Sequence, residues 1–378
     1  MRCADPSADV RGPGRRPAIR PVLTTPAGVA LGAALLFTGC GAPDSTVSLE
    51  RSRLVRIKGE RPGSARLEGV RAIRGFSVGR DCTFMHCLEL VVEALGRDIG
   101  YDELMGISGM AFRLQVRAEP WDPGNPDPAV GASRLDVLFR DIGFDYQLRV
   151  VRREQLAAAQ VLRKEIVKSV DAGVPVLAAN IIPPEDWGII TGYERNGWSW
   201  KCRSYHGGAE RVDRPARGWP TAVVLLTGRR PRPAPRQVHA NAVKRAIALF
   251  DRTSEGPYAL GRNAFEHWRQ MLESARSRDY IHPNAWTYYC LIDARGSAVR
   301  FLRAVAEEFG SKKQFLLDAA RLYEQEVNIL RDGIDAVPWI DKFPTTLPPM
   351  DVRTRQINIL MRAKALEERA INALRRAI

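Results

Sequence analysis

The sequence predicts an α+β domain followed by an all-α domain, and three observations lead to this prediction. Residues 67–227 show helix-period segments first and strand-period segments afterwards, the order typical of an α+β fold. Residues 238–378 show helical periods almost throughout. Residues 228–237, between them, are rich in arginine and proline, which is typical of a stiff, solvated linker.

The elements of the first domain follow from spacing and from turn residues. Segments with apolar residues three and four positions apart predict helices, and segments rich in β-branched and aromatic residues predict strands. The dipeptide Asn196-Gly197 predicts a hairpin turn. The predicted helices are 83–95, 101–105, 133–141 and 154–171, and the predicted strands are 111–116, 147–151, 175–179, 187–193, 198–205 and 222–227.

The second domain offers five helices and hardly any strand signal. The predicted helices are 242–252, 261–276, 294–309, 313–331 and 353–378, with breaks at Pro338 and at 344–349. In the last helix Ala363, Ala370 and Ala377 lie on one narrow seam. Small residues at this frequency favour close docking on neighbouring helices over a free coiled coil.

The N-terminus has the pattern of a targeting segment. Five arginines precede an uncharged run over residues 27–39, which is too short to span a bilayer and predicts a signal peptide over 1–39. The run that ends Leu36-Phe37-Thr38-Gly39-Cys40 resembles a bacterial lipobox. That resemblance implies cleavage before Cys40, lipidation there and a membrane-anchored protein of the cell envelope. A plain signal peptide with an incidental cysteine is the alternative. Residues 40–66 are then expected to be a flexible tether.

The charge is strongly basic, with 57 Lys+Arg against 43 Asp+Glu and a net charge of +14. Only 9 of the 57 are lysine, and a bias this one-sided is explained at least as well by a GC-rich coding sequence as by phosphate binding. No nucleic-acid recognition motif accompanies the charge, so no nucleic-acid partner is expected.

Four cysteines lie beyond the leader and the predicted lipidation site Cys40: Cys82, Cys87, Cys202 and Cys290. Cys82 and Cys87 are five apart on one predicted helix, about 140° round its axis, so a bond between them would distort it. If a disulfide exists, Cys202 with Cys290 is the better pairing. None of the spacings is that of a zinc site, and no metal or cofactor is predicted.

Cys82 is the main candidate for chemistry. It lies where the irregular segment 75–81 turns into a helix, and a helix N-terminus favours the thiolate. The alternative interpretation is a small, half-buried capping residue.

Four segments carry a family resemblance: Asp81-Cys82-Thr83-Phe84, the run 104–113, Gly173-Val174-Pro175-Val176-Leu177, and the run 186–193 that ends Gly192-Tyr193. They resemble the C39-peptidase-like, papain-fold family that includes the N-terminal domain of the butirosin-biosynthesis protein BtrH. The second half is similar to the helical region of unknown function that follows this domain in related bacterial proteins.

The resemblance implies a papain-like fold with Cys82 as nucleophile. It places the base histidine at Trp187, the acid near 203–205 and the oxyanion-binding glutamine at Phe76. Of these positions only Cys82 carries the expected residue.

Other residues are candidates for the missing roles. His86, four residues after Cys82 on the same helix face, is the candidate base, with a packed histidine as the alternative. His206 and His282 are further candidates that the sequence cannot place. Trp121, Asp186, Trp187 and Tyr193 are the candidate substrate-binding residues, with Trp121, Asp186 and Trp187 expected to form an aromatic-walled cleft over Cys82. Tryptophans buried in the core under a loop are the alternative.

The favoured function is therefore a binding or scaffold module of the envelope with a degenerate catalytic set, its ligand a protein, a peptide or an acyl group. A cysteine-dependent peptidase, amidase or acyltransferase that uses Cys82 is the alternative. A purely structural lipoprotein, whose helical half docks a partner, is a third interpretation.

Overall fold

The computed structural model describes residues 54–378 except 60, 118–120, 338, 340–341 and 343–344. The described chain is an α+β arrangement with an antiparallel sheet and a C-terminal helical region, which confirms the predicted fold class at this level. The predicted signal peptide, the lipidation site Cys40 and most of the predicted tether lie outside the described residues.

The five strands predicted between residues 147 and 227 are all present, with bounds within three residues of those predicted. The strands over 55–58, 65–68 and 214–215 are not predicted from the sequence, and the strands over 254–255 and 258–260 show that the second half is not purely α-helical. In chain order the strands are β1 Val55–Lys58, β2 Ala65–Glu68, β3 Gln115–Arg117, β4 Phe144–Val150, β5 Val176–Ala179, β6 Trp187–Glu194, β7 Ser199–Ser204, β8 Arg214–Pro215, β9 Ala222–Arg229, β10 Ser254–Glu255 and β11 Tyr258–Leu260.

The α-helices alternate with strands in the first half and dominate the second. They are α1 Thr83–Ala94, α2 Tyr101–Ser108, α3 Leu135–Ile142, α4 Leu156–Asp171, α5 Pro235–Asp251, α6 Gly261–Ser274, α7 Ile281–Val305, α8 Lys313–Asp332 and α9 Met350–Ala377.

The main sheet is antiparallel and buried on both faces. Its strand order is β1-β2-β6-β5-β9-β4, with β7 paired to β6 and β8 paired to β7. In β5, Leu177 faces the core that contains α1, whereas Val176 faces the core under α4. Because both faces are covered, the central strands consist almost wholly of apolar residues.

One apolar core joins the two predicted domains. It contains residues of α1 such as Phe84 and Leu88 together with Phe301 of α7 and Leu374 of α9. A second core lies within the helical half around Trp268 and Tyr288.

The predicted tether is wrong for its C-terminal part, because residues 55–58 and 65–66 belong to strands. Ala65 and Leu67 of β2 are buried and alternate with exposed charged residues, and β2 pairs with β6. The segment is thus an edge hairpin of the main sheet. Two four-residue strands rich in charge carry too little periodicity to be recognised in the sequence.

Other predicted boundaries shift for local reasons. The predicted linker is shorter, because β9 runs to Arg229 and α5 begins at Pro235, where the missing N–H of proline is tolerated. Helix α7 begins at Ile281 rather than at 294, with Pro283 in its first turn. The strand predicted at 111–116 is confined to Gln115–Arg117, and it pairs with β11 of the helical half.

Candidate functional site

Cys82 is the N-cap of α1, as the sequence predicts. The loop before it is held in place by three hydrogen bonds to carboxylates and a phenol. The Ser77 N–H donates to Asp81 Oδ1 at 2.7 Å, the Asp81 N–H donates to Asp293 Oδ2 at 3.0 Å, and the Cys82 N–H donates to Tyr101 Oη at 3.0 Å. Tyr101 in turn donates to Asp293 Oδ2 at 2.5 Å. The helical half, through Asp293 of α7, therefore positions the start of α1.

The thiol of Cys82 is buried, with 7% of the residue exposed. Burial raises the pKa of this thiol far above its usual range, and the nearby Asp127 and Asp293 carboxylates add to the rise. A hydrogen bond from the Met85 N–H, in the first helical turn, lowers the pKa of the thiol by a smaller amount. Desolvation thus outweighs the helix N-terminus, and Cys82 is held as the neutral thiol rather than as the thiolate that its position favours.

A small cavity of about 30 Å³ lies against Cys82 and has room for a water-sized group. Cys290 of α7 lines it too, and its apolar walls include Met105 and Leu291. Arg113 and Gln115 form part of its polar wall.

Arg113 and Gln115 also hold the loop over 121–132. Arg113 is buried and donates to four backbone carbonyls of this loop, among them Asp127 O at 2.7 Å. Gln115 donates to Asn125 O at 3.0 Å and accepts from the Ala132 N–H at 3.0 Å. A loop with three prolines and few apolar residues is thereby ordered by two side chains to which the sequence assigns no role.

His86, the candidate base, is engaged elsewhere. The Arg74 N–H donates to its Nε2 at 3.0 Å, so Nδ1 carries the ring proton and donates to Glu89 Oε2 at 2.7 Å. Burial lowers the pKa of His86, whereas hydrogen bonds from His86 and Arg80 lower the pKa of Glu89 to about 2. His86 is therefore a neutral, packed histidine with neither ring nitrogen left for Cys82, which is the alternative interpretation of this residue.

The positions that the family resemblance assigns to catalysis hold structural contacts. Trp187 opens β6 and donates from Nε1 to Asp127 Oδ2 at 2.7 Å. Arg203 of β7 donates to Asp213 at 3.0 Å. Phe76 stacks on Tyr205 with ring centroids 4.7 Å apart.

An acid and an imidazole that the sequence could not connect meet beside the start of α1. Asp186, directly before β6, and His206, just after β7, approach each other with Asp186 Oδ2 and His206 Nε2 3.5 Å apart. The Thr83 hydroxyl donates to Asp186 Oδ1. The resemblance would place a histidine at the start of β6 and an acid on β7, whereas the structure has Asp186 before β6 and His206 after β7.

The remaining candidates are separated from this pair. Trp121 packs against Tyr280, with ring centroids 5.3 Å apart, in the core of the helical half. Tyr193 donates to Asp171 Oδ1 at 2.8 Å and lies in the core under α4. His282 lies against Trp339, with ring centroids 6.1 Å apart. The expected cleft of Trp121 and Trp187 over Cys82 is therefore not assembled.

A β-bulge explains the position of Tyr193. In a regular strand Trp187 and Tyr193 would share a face, since they are six residues apart. The register of β6 against β7 shifts between Ile190 and Gly192, and Tyr193 passes to the opposite face. A bulge carries no clear mark in this sequence.

All four cysteines in the described part of the chain are free and buried, so Cys202 and Cys290 are not paired. Cys202 Sγ instead contacts Arg214 O at 3.3 Å in β8, on the sheet, and Cys290 lies on α7 near Asp81. Among the same residues, no group of three or more His, Cys, Asp or Glu side chains has a metal-binding arrangement.

Searches against family models and against curated proteins find no match to this chain. None of the described helices is long and apolar enough to cross a membrane.

Proposed function

We propose that this chain is an exported, lipid-anchored protein of the bacterial cell envelope whose papain-like domain binds a ligand without cleaving it. The observation that carries the proposal is the state of Cys82: its thiol is buried, its pKa is raised, and both nitrogens of His86 are already bonded. Thiol hydrolysis needs a thiolate and a proton acceptor within hydrogen-bond reach.

The papain-like assignment is supported by the placement of α1. This helix carries Cys82 at its N-cap and packs on the face of the sheet formed by Leu177 and Ile189. Asp186 and His206 stand at the ends of β6 and β7, the two strands that the family resemblance marks for the base and the acid.

The accessible part of the site is the Asp186–His206 pair with the aromatic rings beside it. Phe76 lies 5.5 Å from the His206 ring and 5.4 Å from Trp286 of α7, measured between centroids. A carboxylate, an imidazole and two half-buried rings together offer a hydrogen-bond acceptor, a donor and apolar surface. A protein segment, a peptide or an acyl group with a polar end has the matching chemistry.

The alternative, a cysteine-dependent peptidase, amidase or acyltransferase, draws on the same pair. Asp186 and His206 are the acid and imidazole that such an enzyme needs, but Asp186 accepts from Thr83 rather than orienting a base toward Cys82.

Site-resolved iodoacetamide labelling of the full chain, followed by mass spectrometry across a pH series, separates these functions. We expect Cys82 to label no faster than buried Cys87 in the folded protein, and both to label fully in urea. Rapid labelling of native Cys82 with an apparent pKa below about 8.5 would establish an activated nucleophile and overturn the binding-only proposal.

Ligand binding is tested with an array of immobilised peptides and N-acyl peptides. His206→Ala should weaken capture of the full chain about tenfold or more, since a hydrogen bond to a charged group contributes about 1.5–3 kcal/mol. His282→Ala is the matched control, because that ring packs away from the pair. Equal losses in both variants would contradict the proposed site.

Anchoring is tested by the mass of the membrane-extracted protein. The wild-type chain should carry a lipid adduct on Cys40, and Cys40→Ala should abolish that adduct and release the protein from membranes at high salt, where electrostatic attraction is screened. An unchanged mass with unchanged membrane association would refute the lipid anchor.

A further inference from the structure

One face of the molecule combines exposed apolar side chains with cations that form no ion pair to any other described residue. We name it the α4 face and define it by Arg61, Val161, Arg163, Lys164, Lys168, Arg195 and Trp198. Trp198, the largest side chain of this face, is 68% exposed. Val161, on helix α4, is 57% exposed. Such exposure of a tryptophan is unusual, because burying the indole would remove much apolar area from water.

Backbone and ring contacts hold these residues together. The Arg163 guanidinium lies over the Trp198 ring at 4.4 Å from its centroid and donates to Asn196 O at 2.6 Å. Val161, Lys164 and Lys168 follow one another at helical spacing, so they share the outer face of α4. The Asn196 N–H donates to Gly63 O at 2.8 Å, which brings the β1–β2 turn with Arg61 to the same place.

The acids around this face are already bonded to other cations. Asp171 pairs with Arg56 at 2.6 Å, Glu165 with Arg149 at 3.2 Å and Glu194 with Lys201 at 3.0 Å. Within the described residues, no ion pair is formed by the five cations of the α4 face, Arg61, Arg163, Lys164, Lys168 and Arg195. Their charge is therefore available to an anionic partner.

The described chain also begins beside this face. Its first strand, Val55–Lys58, pairs with β2, and the β1–β2 turn contacts Asn196. The chain from Cys40 to Val55 can span at most about 50 Å when fully extended. An N-terminal lipid would therefore hold the α4 face within reach of the membrane surface.

We propose that the α4 face docks on an anionic phospholipid bilayer, with Trp198 and Val161 entering the interface and the five cations contacting headgroup phosphates. The orientation on the membrane rests on the proposed lipid anchor, whereas the lipid affinity of the face does not. Amphipathic surfaces with basic residues around exposed tryptophan bind such interfaces, and each basic side chain adds to the attraction.

The test is sedimentation with sucrose-loaded vesicles. It uses the predicted mature chain, residues 40–378, carrying Cys40→Ala, so that neither an acyl group nor the arginine-rich leader contributes. We expect binding to vesicles of phosphatidylethanolamine with phosphatidylglycerol, no binding to phosphatidylcholine alone, and weaker binding as salt rises. Lys164→Gln with Lys168→Gln should reduce partitioning on the order of tenfold to thirtyfold. Trp198→Ala should reduce it several-fold.

Matched controls come from other surfaces. Lys244→Gln with Lys342→Gln removes two exposed lysines elsewhere, and Met350→Ala removes an exposed apolar side chain at the start of α9. These variants should bind vesicles as the parent chain does.

Several outcomes would overturn the proposal: no vesicle binding, equal binding to neutral vesicles, or equal losses in the control variants. Binding of inorganic phosphate or duplex DNA without vesicle binding would also overturn it and identify the other anion. If the lipid anchor is wrong, Cys40 of the wild-type protein carries no lipid. If the ligand site is wrong, the His206→Ala variant is captured by the immobilised peptides as well as the wild type is. The three failures are therefore distinguishable.

Discussion

Replacing either buried glutamate of the helical half with glutamine tests how a single arginine serves two carboxylates. Arg295, Glu326 and Glu367 are each fully buried. Arg295 Nη2 donates to both oxygens of Glu367, at 2.9 and 2.7 Å, and its Nη1 donates to Ala111 O at 2.9 Å. Glu326 Oε1 lies 3.4 Å from Arg295 Nε, and neither Glu326 oxygen has a hydrogen-bond partner.

This geometry gives the two glutamates different roles. Burial, and then the Glu367 charge, raise the pKa of Glu326 well above its usual range, so Glu326 is the protonated member of the pair at neutral pH. Burial also raises the pKa of Glu367, against the pull of Arg295. Glu367 is the charge that compensates the buried guanidinium.

Glu367→Gln should therefore cost up to about 3–5 kcal/mol of unfolding free energy. It removes the carboxylate that accepts two hydrogen bonds from the buried guanidinium, and the remaining candidate counter-charge, Glu326, must first give up its proton. For a chain of this size such a loss lowers Tm by about 4–7 °C. Glu326→Gln replaces a neutral acid with a neutral amide of the same shape, so it should change the free energy of unfolding by less than about 1 kcal/mol at pH values below the unfolded pKa of the carboxyl. At pH 7, where folding of the wild type must protonate Glu326, the glutamine variant should be the more stable of the two by about 3 kcal/mol.

The pH dependence gives a sharper readout. The folded protein holds the Glu326 proton more tightly than the unfolded chain, so the stability from this group is present below the unfolded pKa and is lost as pH rises toward the folded pKa. The wild type should lose about 1.4 kcal/mol per pH unit in that window, and Glu326→Gln should not. Urea unfolding at a series of pH values measures the difference. Equal costs for the two variants at pH 7, or parallel pH profiles for wild type and Glu326→Gln, would refute the reasoning.

Two further predictions concern α1 and α2. Gly106→Ala should lower the free energy of unfolding by about 1–3 kcal/mol in thermal melts, because a Cβ there would lie 2.2 Å from the Phe301 ring. Gly75→Ala is the control, because its Cβ would meet no atom within 4 Å, and it should be nearly neutral. Equal effects of the two variants would contradict the close contact between α2 and α7. Burial and the Asp293 carboxylate raise the pKa of Asp81 to about 6, so its stabilising contribution is present below about pH 4 and lost as pH rises through 6. Asp81→Asn should remove that loss in urea unfolding across the same range, and an unchanged profile would show that Asp81 titrates normally.

The candidate site illustrates where sequence reasoning succeeds and where it ends. The position of Cys82 at a helix N-cap follows from a local switch between irregular and helical spacing, and the structure confirms it. The state of its thiol depends on burial by α7 and the 121–132 loop, which are distant in sequence. Local spacing favours a thiolate, whereas the tertiary structure removes the solvent that a thiolate needs.

The Asp186–His206 pair shows the same division. Both residues are visible in the sequence, and the two strands that carry them are predicted within one or two residues. Their meeting depends on the antiparallel pairing of β6 with β7, which brings the start of one strand to the end of the other. The local pattern before β6 therefore shows Asp186 and Trp187 but does not show that Asp186 lies beside His206.

The sequence by itself determined the fold class, the order of most helices and strands, and the location of Cys82, because apolar periodicity and capping act over a few neighbouring residues. Only the tertiary structure decided that residues 55–68 form an edge hairpin and that a bulge turns Tyr193 away from the site. It also decided that His86 pairs with Glu89 and that Arg295 is buried between two glutamates. Hydrogen-bond partners and desolvation are set by segments far apart in the chain, and their effects on pKa and on side-chain direction have no local pattern.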